Sequence, residues 1–152
     1  MTAYLVRHAK AGDREAWEGD DDLRPLSKPG RRQAAGLVPL LSSAGIRRLV
    51  SSPAVRCVQT LEPLAEALGL PVELDRALYE GAGPGPTMAL ILRADGDTVA
   101  LCTHGDVMED VVDKVLSSGV RPSGDVGFSK GSTWVLETDG GGVVAARYLP
   151  PP

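Results

Sequence analysis

Short apolar segments alternate with helical patterns over the first three quarters of this 152-residue chain. The strand-like segments run from Ala3 to Val6, Arg48 to Ser51, Val72 to Leu74 and Thr98 to Cys102. The predicted helices repeat apolar residues at a 3.6-residue period or follow a capping signal, and they occupy residues 27–45, 53–69, 87–93 and 106–116. This alternation is typical of an α/β fold in which a mainly parallel sheet is flanked by helices.

The remaining segments complete the predicted organisation. Residues 9–28 mix Gly, Asp, Glu and Arg without a sustained period, which predicts a loop. Thr133 to Thr138 and Val143 to Tyr148 flank Asp139-Gly140-Gly141-Gly142, which predicts a C-terminal β-hairpin. No linker or internal repeat interrupts the pattern, so we expect a single domain over residues 1–149 and a frayed tail at 150–152.

Composition narrows the classes of function. The 16 Lys and Arg residues against 20 Asp and Glu give a formal charge of -4, without the basic footprint of a nucleic-acid-binding protein. No apolar run approaches the ~20 residues that cross a bilayer, and the first strand is not preceded by a targeting leader. Cys57 and Cys102 lie in apolar stretches without metal-ligand spacing. We therefore expect a cytoplasmic protein without a membrane anchor and with two buried, reduced cysteines.

The residues with the most reactive side chains follow the ends of predicted strands. Arg7 and His8 come directly after the first strand, and Arg56 lies in the first turn of the helix after the second. His104 follows the fourth strand in the same way. Because ligands of open α/β sheets gather beyond the carboxyl ends of the strands, we expect these four side chains to meet. Two arginines, two histidines and a nearby carboxylate supply what phosphoryl transfer requires.

Each of the four side chains has a predicted role. His8 would present a neutral imidazole nitrogen as a nucleophile and form a covalent phosphohistidine. Arg7 and Arg56 would clasp the phosphoryl oxygens with planar guanidinium groups. His104, at the start of a helix, would donate a hydrogen bond to the same phosphate. The alternatives are a structural role for each histidine and a zinc site, although no third ligand has the spacing of a zinc site.

The motifs around these residues resemble those of the histidine phosphatase superfamily. The run Leu5-Val6-Arg7-His8-Ala9-Lys10 is similar to the N-terminal signature of that family. Later motifs occur in the family's order: Pro25-Leu26-Ser27-x-x-Gly30, Ser51-Ser52-Pro53-x-x-Arg56-x-x-x-Thr60, Leu78-Tyr79-Glu80 and Thr103-His104-Gly105. The resemblance implies a three-layer, phosphoglycerate-mutase-like fold, a catalytic core of Arg7, His8, Arg56 and His104, and a reaction that needs no metal or cofactor.

The same resemblance suggests which group protonates the leaving group. In many members a carboxylate after the third strand has this role, and Glu80 stands at that place. Asp106 is the rival, because some branches place the acid directly after the second histidine. Here Gly105 intervenes, and Asp106 is predicted to cap the helix instead. The expected substrate-binding residues are Arg7, Arg56, His104, Lys10 and Gly105.

Two departures from the common pattern indicate a branch of the family. Ala9 follows the nucleophile where Gly is more common, and Lys10 stands where many members have an uncharged or acidic residue. The chain also lacks the long insertion that forms a substrate lid in mutases. These features resemble the short, SixA-like branch, which implies an open site for a large substrate such as a phosphohistidine on a protein. A phosphoglycerate mutase and a phosphate-binding module without turnover are less favoured alternatives.

A second resemblance implies a different substrate. Four segments are similar to the phosphatase domain that follows a Nudix hydrolase in some bacterial proteins: Gly19-Asp20-Asp21, Arg24-Pro25-Leu26, Arg56-Cys57-x-Gln59-Thr60 and Lys130-Gly131-Ser132-Thr133-Trp134. That domain acts on nucleotide-derived phosphates, so a nucleoside diphosphate is the alternative substrate. The first strand begins close to Met1, so no preceding Nudix segment is expected. For Trp17 and Trp134 we favour core packing over a place at the site.

Overall fold

A computed structural model describes residues 1–93 and 96–152 of the chain. The described residues form four α-helices: α1 (Lys28–Leu41), α2 (Val55–Leu68), α3 (Pro84–Leu92) and α4 (Gly105–Ser117). They also form seven strands: β1 (Thr2–Arg7), β2 (Arg48–Ser51), β3 (Val72–Leu74), β4 (Val99–Thr103), β5 (Pro122–Ser123), β6 (Thr133–Thr138) and β7 (Val143–Leu149). The strands make one sheet in the order β3-β2-β4-β1-β6-β7-β5. The predicted α/β fold with a C-terminal hairpin is confirmed.

The parallel part of the sheet determines where the site lies. Strand β4 pairs in parallel with both β1 and β2, so the carboxyl ends of these three strands meet at one edge. Arg7 is in register with Thr103, which brings His8 and His104 to the same level of that edge. Strand β3 continues the parallel part beyond β2, whereas β6 and β7 run antiparallel on the other side of β1.

Helices cover both faces of the central strands. Leu5 and Leu101 face a cluster that includes residues of α3 and α4, and Val6 and Cys102 face a second cluster with residues of α1 and α2. Neighbouring residues of a strand point to opposite faces, so β1 and β4 contribute to both clusters. All five residues of β4 are buried, as expected for a strand between two helical layers.

Three predicted helix starts are wrong. Helix α2 begins at Val55, with Ala54 at its N-cap position, rather than at residue 53. Helix α3 begins at Pro84 rather than at residue 87, because Gly83 adopts a positive φ of 81° and proline suits the first helical turn. Helix α4 begins at Gly105 with His104 at its N-cap position, so Asp106 does not cap it. The Asp106 carboxylate instead accepts the backbone N–H of Gly81 at 2.7 Å.

The tail and one tryptophan also differ from expectation. The C-terminal tail packs on α1, since a Cβ atom built on Gly36 would lie 2.7 Å from the Pro152 ring. Trp134 is fully buried in the core as expected, but Trp17 lies on the β1–α1 loop with 38% of its surface exposed. Neither ring lines the cavity described below. Cys57 and Cys102 are buried and form no disulfide. Among the described residues, no helix is long and apolar enough to cross a membrane.

Candidate active site

A cavity of about 570 Å³ opens at the carboxyl edge of β1 and β4. The β1–α1 loop, which includes Gly12 and Arg14, forms one wall. Four of the predicted site residues line the cavity, namely Arg7, His8, Glu80 and Gly105. Arg56 and His104 are buried directly behind the lining residues, whereas the exposed Lys10 is not part of the lining.

His8 is held with one ring nitrogen directed away from its anchor. Its Nδ1–H donates to the carbonyl of Ala9 at 2.8 Å, which leaves Nε2 with a lone pair. The pKa of His8 is lowered to about 3, mainly by burial and further by the nearby charges of His104, Arg56 and Arg7, against the opposing effect of the Ala9 bond. His8 is therefore neutral at neutral pH, which is the form that a nucleophile requires.

His104 lies beside His8, with ring centroids 5.5 Å apart. The Nη2 of Arg56, which is only a donor, approaches His104 Nδ1 at 3.4 Å, so Nδ1 accepts in this arrangement. The proton is then on Nε2, which donates to the hydroxyl of Ser52 at 2.9 Å. Ser52 is fully buried and thus orients the His104 ring from the side away from Arg56. Ser52 belongs to the motif that also contains Arg56, but the spacing of that motif does not predict a hydrogen bond between Ser52 and His104.

Each of the two arginines has a buried donor without a partner. Arg7 Nη1 donates to the carbonyl of Phe128 at 2.6 Å, and Arg56 Nη1 donates to the carbonyl of Asp21 at 2.8 Å. Within the described part of the chain, the Nε atoms of Arg7 and Arg56 are buried without a hydrogen-bond partner. A buried N–H without a partner costs free energy, so two such groups on cations indicate an anion-binding site.

Sequence reasoning missed the carboxylate that connects the arginines. Asp21 lies 3.0 Å from Arg24 Nε, 3.2 Å from Arg56 Nη2 and 3.6 Å from Arg14 Nε. In the sequence Asp21 belongs to a short acidic run, Asp20 to Asp22, which has the pattern of a solvated loop. The ion pairs of Asp21 depend on how the loop folds over α2. Hydrophobic periodicity does not predict the path of a loop.

Both candidates for the acid line the cavity. Glu80 is half exposed and pairs with Arg14 Nη2 at 3.0 Å, and its other oxygen lies 3.7 Å from Arg56 Nη2. Asp106 is held by the N–H of Gly81. Of the two candidate acids, Glu80 is therefore the one that contacts a predicted phosphate-binding arginine.

The chain matches the family model of the histidine phosphatase superfamily (branch 1) over residues 3–87, which is more than half of its length. The chain belongs to the histidine phosphatase superfamily. A protein of Mycolicibacterium smegmatis named 8-oxo-(d)GTP phosphatase is 39% identical over 158 residues, which cover 99% of this chain and 48% of that relative. This chain thus spans about half the length of that relative.

Solved structures of histidine phosphatases share the fold. The protein histidine phosphatase SixA in complex with tungstate superposes with a TM-score of 0.78 at 21% identity, over 99% of this chain and 95% of that chain. A protein of Agrobacterium tumefaciens assigned as SixA gives a TM-score of 0.74 at 25% identity, over 99% and 98% of the two chains. The predicted SixA-like fold is confirmed, and the family and relatives support the predicted class of enzyme, a phosphoric monoester hydrolase.

Gly105→Ala is expected to lower kcat/KM by about 10²-fold. A Cβ atom at this position would lie 2.6 Å from Arg7 Cζ and 2.8 Å from its Nε, so the guanidinium must leave the position that Phe128 now fixes. Steady-state kinetics with an aryl phosphate measures the effect. Gly85→Ala is the matched control, because this residue also lies in the first turn of a helix but has open space around its Cβ position. Equal activity of the two variants would contradict the prediction.

Proposed function

We propose that the chain removes a terminal phosphoryl group from phosphohistidine, a phosphate monoester or a nucleoside diphosphate through a covalent phosphohistidine on His8. One observation carries the proposal: the neutral His8 imidazole lies among two arginines whose buried Nε–H groups have no partner within the described residues. A phosphoryl group at this place would accept hydrogen bonds from the two guanidinium groups while its phosphorus faces His8 Nε2.

The reaction has two steps in this proposal. His8 Nε2 forms a bond to phosphorus as the bond from phosphorus to the leaving oxygen breaks, and Glu80 gives a proton to that oxygen. Water then attacks the phosphoryl group, Glu80 takes a proton from the water, and inorganic phosphate leaves with His8 restored. Arg7, Arg56 and His104 stabilise the charge on the non-bridging oxygens in both steps. For His104 this requires the other tautomer, in which Nδ1 carries the ring proton, Nε2 accepts from the Ser52 hydroxyl and Arg56 Nη2 turns from Nδ1 to the phosphate.

Two substrate classes follow from this chemistry. The SixA-like fold supports phosphohistidine on a protein, which is the substrate class favoured by the sequence. The relative named 8-oxo-(d)GTP phosphatase, at 39% identity over nearly the whole chain, supports a phosphorylated nucleoside. Because this identity exceeds the 21–26% of the SixA structures, we favour the nucleotide class. We further propose that the enzyme acts in the cytoplasm, where its two cysteines stay reduced.

Trapping of the phosphoenzyme tests the proposal. The wild type, mixed briefly with each of four ³²P-labelled substrates, is expected to retain label that is labile in acid and stable in alkali, as phosphohistidine is. The substrates are a phosphohistidine protein, a nucleoside diphosphate, a sugar phosphate and an aryl phosphate, and the nucleoside diphosphate is expected to give the highest kcat/KM. Turnover without labelled protein, or with label in an acid-stable form, would refute the covalent mechanism.

A further inference from the structure

Lys130 is fixed beside the nucleophile by the backbone around it. The N–H of Gly131 donates to the carbonyls of Arg7 and His8 at 3.2 and 3.1 Å, and the N–H of Arg7 donates to the carbonyl of Ser132 at 3.0 Å. The carbonyl of Lys130 itself accepts the side-chain amide of Gln33 at 3.2 Å. The loop that carries Lys130 is thereby attached to the end of β1, where His8 lies.

The charge of Lys130 is not neutralised by a carboxylate. Its side chain lines the cavity together with five acidic residues, yet none of them forms an ion pair with it among the described residues. By contrast, Arg14, Arg24 and Arg56 all contact Asp21. The pKa of Lys130 is lowered, first by partial burial and then by the positive charges of Arg7, Arg24, Lys10 and Arg14. The charged groups that lower the pKa of this ammonium group are therefore all cations.

We propose that Lys130 binds a second phosphoryl group of the substrate, next to the one that is transferred to His8. This inference rests on the proposed function and narrows its substrate class to diphosphates. The terminal phosphoryl group would occupy the donors of Arg7 and Arg56, and the inner phosphate would reach the Lys130 ammonium at the cavity wall. The inner phosphate would supply the anionic partner that Lys130 lacks among the described side chains.

The proposed contact also assists the chemistry. As the bond from His8 Nε2 to the terminal phosphorus forms, the bridging P–O bond breaks and the inner phosphate leaves with the electron pair. Negative charge grows on that phosphate, and the Lys130 ammonium stabilises it by a charge-assisted hydrogen bond. Water then cleaves the phosphohistidine to inorganic phosphate. A phosphohistidine protein has an imidazole as its leaving group and has no second phosphate for Lys130, so the substrate classes differ in their dependence on this residue.

A pair of lysine variants tests the proposal. For Lys130→Met we expect the ratio of kcat/KM for GDP to that for p-nitrophenyl phosphate to fall about tenfold, the effect of losing one charge-assisted hydrogen bond. Lys130→Arg keeps the positive charge, so its ratio of the two kcat/KM values is expected to stay close to that of the wild type. Lys114→Met is the control, because Lys114 is an exposed residue of α4 that does not line the cavity. A ratio that stays within twofold of the wild type in Lys130→Met would overturn the proposal.

A binding experiment separates this inference from the proposed function. Calorimetric titration of His8→Ala and of the double variant His8→Ala/Lys130→Met with inorganic pyrophosphate and with inorganic phosphate measures binding without turnover. We expect Lys130→Met to weaken pyrophosphate binding about tenfold more than phosphate binding. An equal change for the two anions would refute the second phosphate subsite even if the phosphoenzyme forms. If no phosphoenzyme forms but the two anions show the expected difference in binding, only the covalent mechanism is refuted.

Discussion

His8→Ala is expected to lower kcat by about 10⁴-fold or more for every phosphate ester that the wild type cleaves. The variant lacks the imidazole nitrogen that forms the bond to phosphorus, and the adjacent arginines can then only bind the substrate. Steady-state assays with an aryl phosphate, followed at high enzyme concentration, measure the loss. KM is expected to change far less than kcat, since Arg7 and Arg56 remain in place.

His8→Asn controls for structural damage in this experiment. Its side-chain amide can still donate to the Ala9 carbonyl that now holds Nδ1, so the loop after β1 keeps its anchor. We expect the same loss of activity from both variants and circular dichroism spectra like that of the wild type. Full activity of either variant on any substrate would exclude His8 as the nucleophile.

Arg56→Ala is expected to have the second largest effect, a loss of about 10³-fold in kcat/KM together with lower stability. This guanidinium is fully buried, and its removal takes away one of two donors to the Asp21 carbonyl together with the ion pair to the Asp21 carboxylate at 3.2 Å. Loss of a hydrogen-bonded partner for such groups costs about 2 kcal/mol. The free energy of unfolding in urea measures this part, and kcat/KM with an aryl phosphate measures the catalytic part.

Two further variants separate charge, geometry and surface effects. Arg56→Lys keeps the positive charge but not the planar group, so we expect most of the catalytic loss to persist. Arg48→Ala removes an exposed arginine that pairs with Glu73 through two hydrogen bonds of 3.0 and 3.1 Å, and it is expected to cost less than 1 kcal/mol. If Arg56→Ala were no more damaging than Arg48→Ala, the predicted phosphate-binding role of Arg56 would be wrong.

The sequence predicted those parts of the site that depend on strand order alone. His8 and His104 follow buried strands, and parallel pairing of β1 with β4 brings any such residues together. Asp21 could not be found in this way, because its ion pairs arise from the path of a loop across α2. The same limit applies to Ser52, whose hydroxyl reaches His104 only through the packing of two neighbouring strand ends.

The ends of helices were predictable where a capping side chain makes in the fold the hydrogen bond that its residue type favours. Ser27 caps α1 by accepting the N–H of Gly30, as its side chain indicates. The start of α4 differs from the prediction, since the Asp106 carboxylate accepts the N–H of Gly81 and His104 takes the N-cap position. Strand β5 has only two residues, Pro122 and Ser123, and a segment this short shows no periodicity from which a strand could be predicted.

The position of β4 has a consequence for synthesis of the chain on the ribosome. Strands β1 and β2 form no hydrogen bonds with each other, since β4 lies between them and pairs with both. The centre of the sheet can therefore close only after residue 103 has left the exit tunnel. Until then Arg7 and Arg56 remain hydrated, and the nascent chain cannot bind phosphate at this site. Binding of an oxyanion by a stalled nascent chain would thus report that β4 has inserted between β1 and β2.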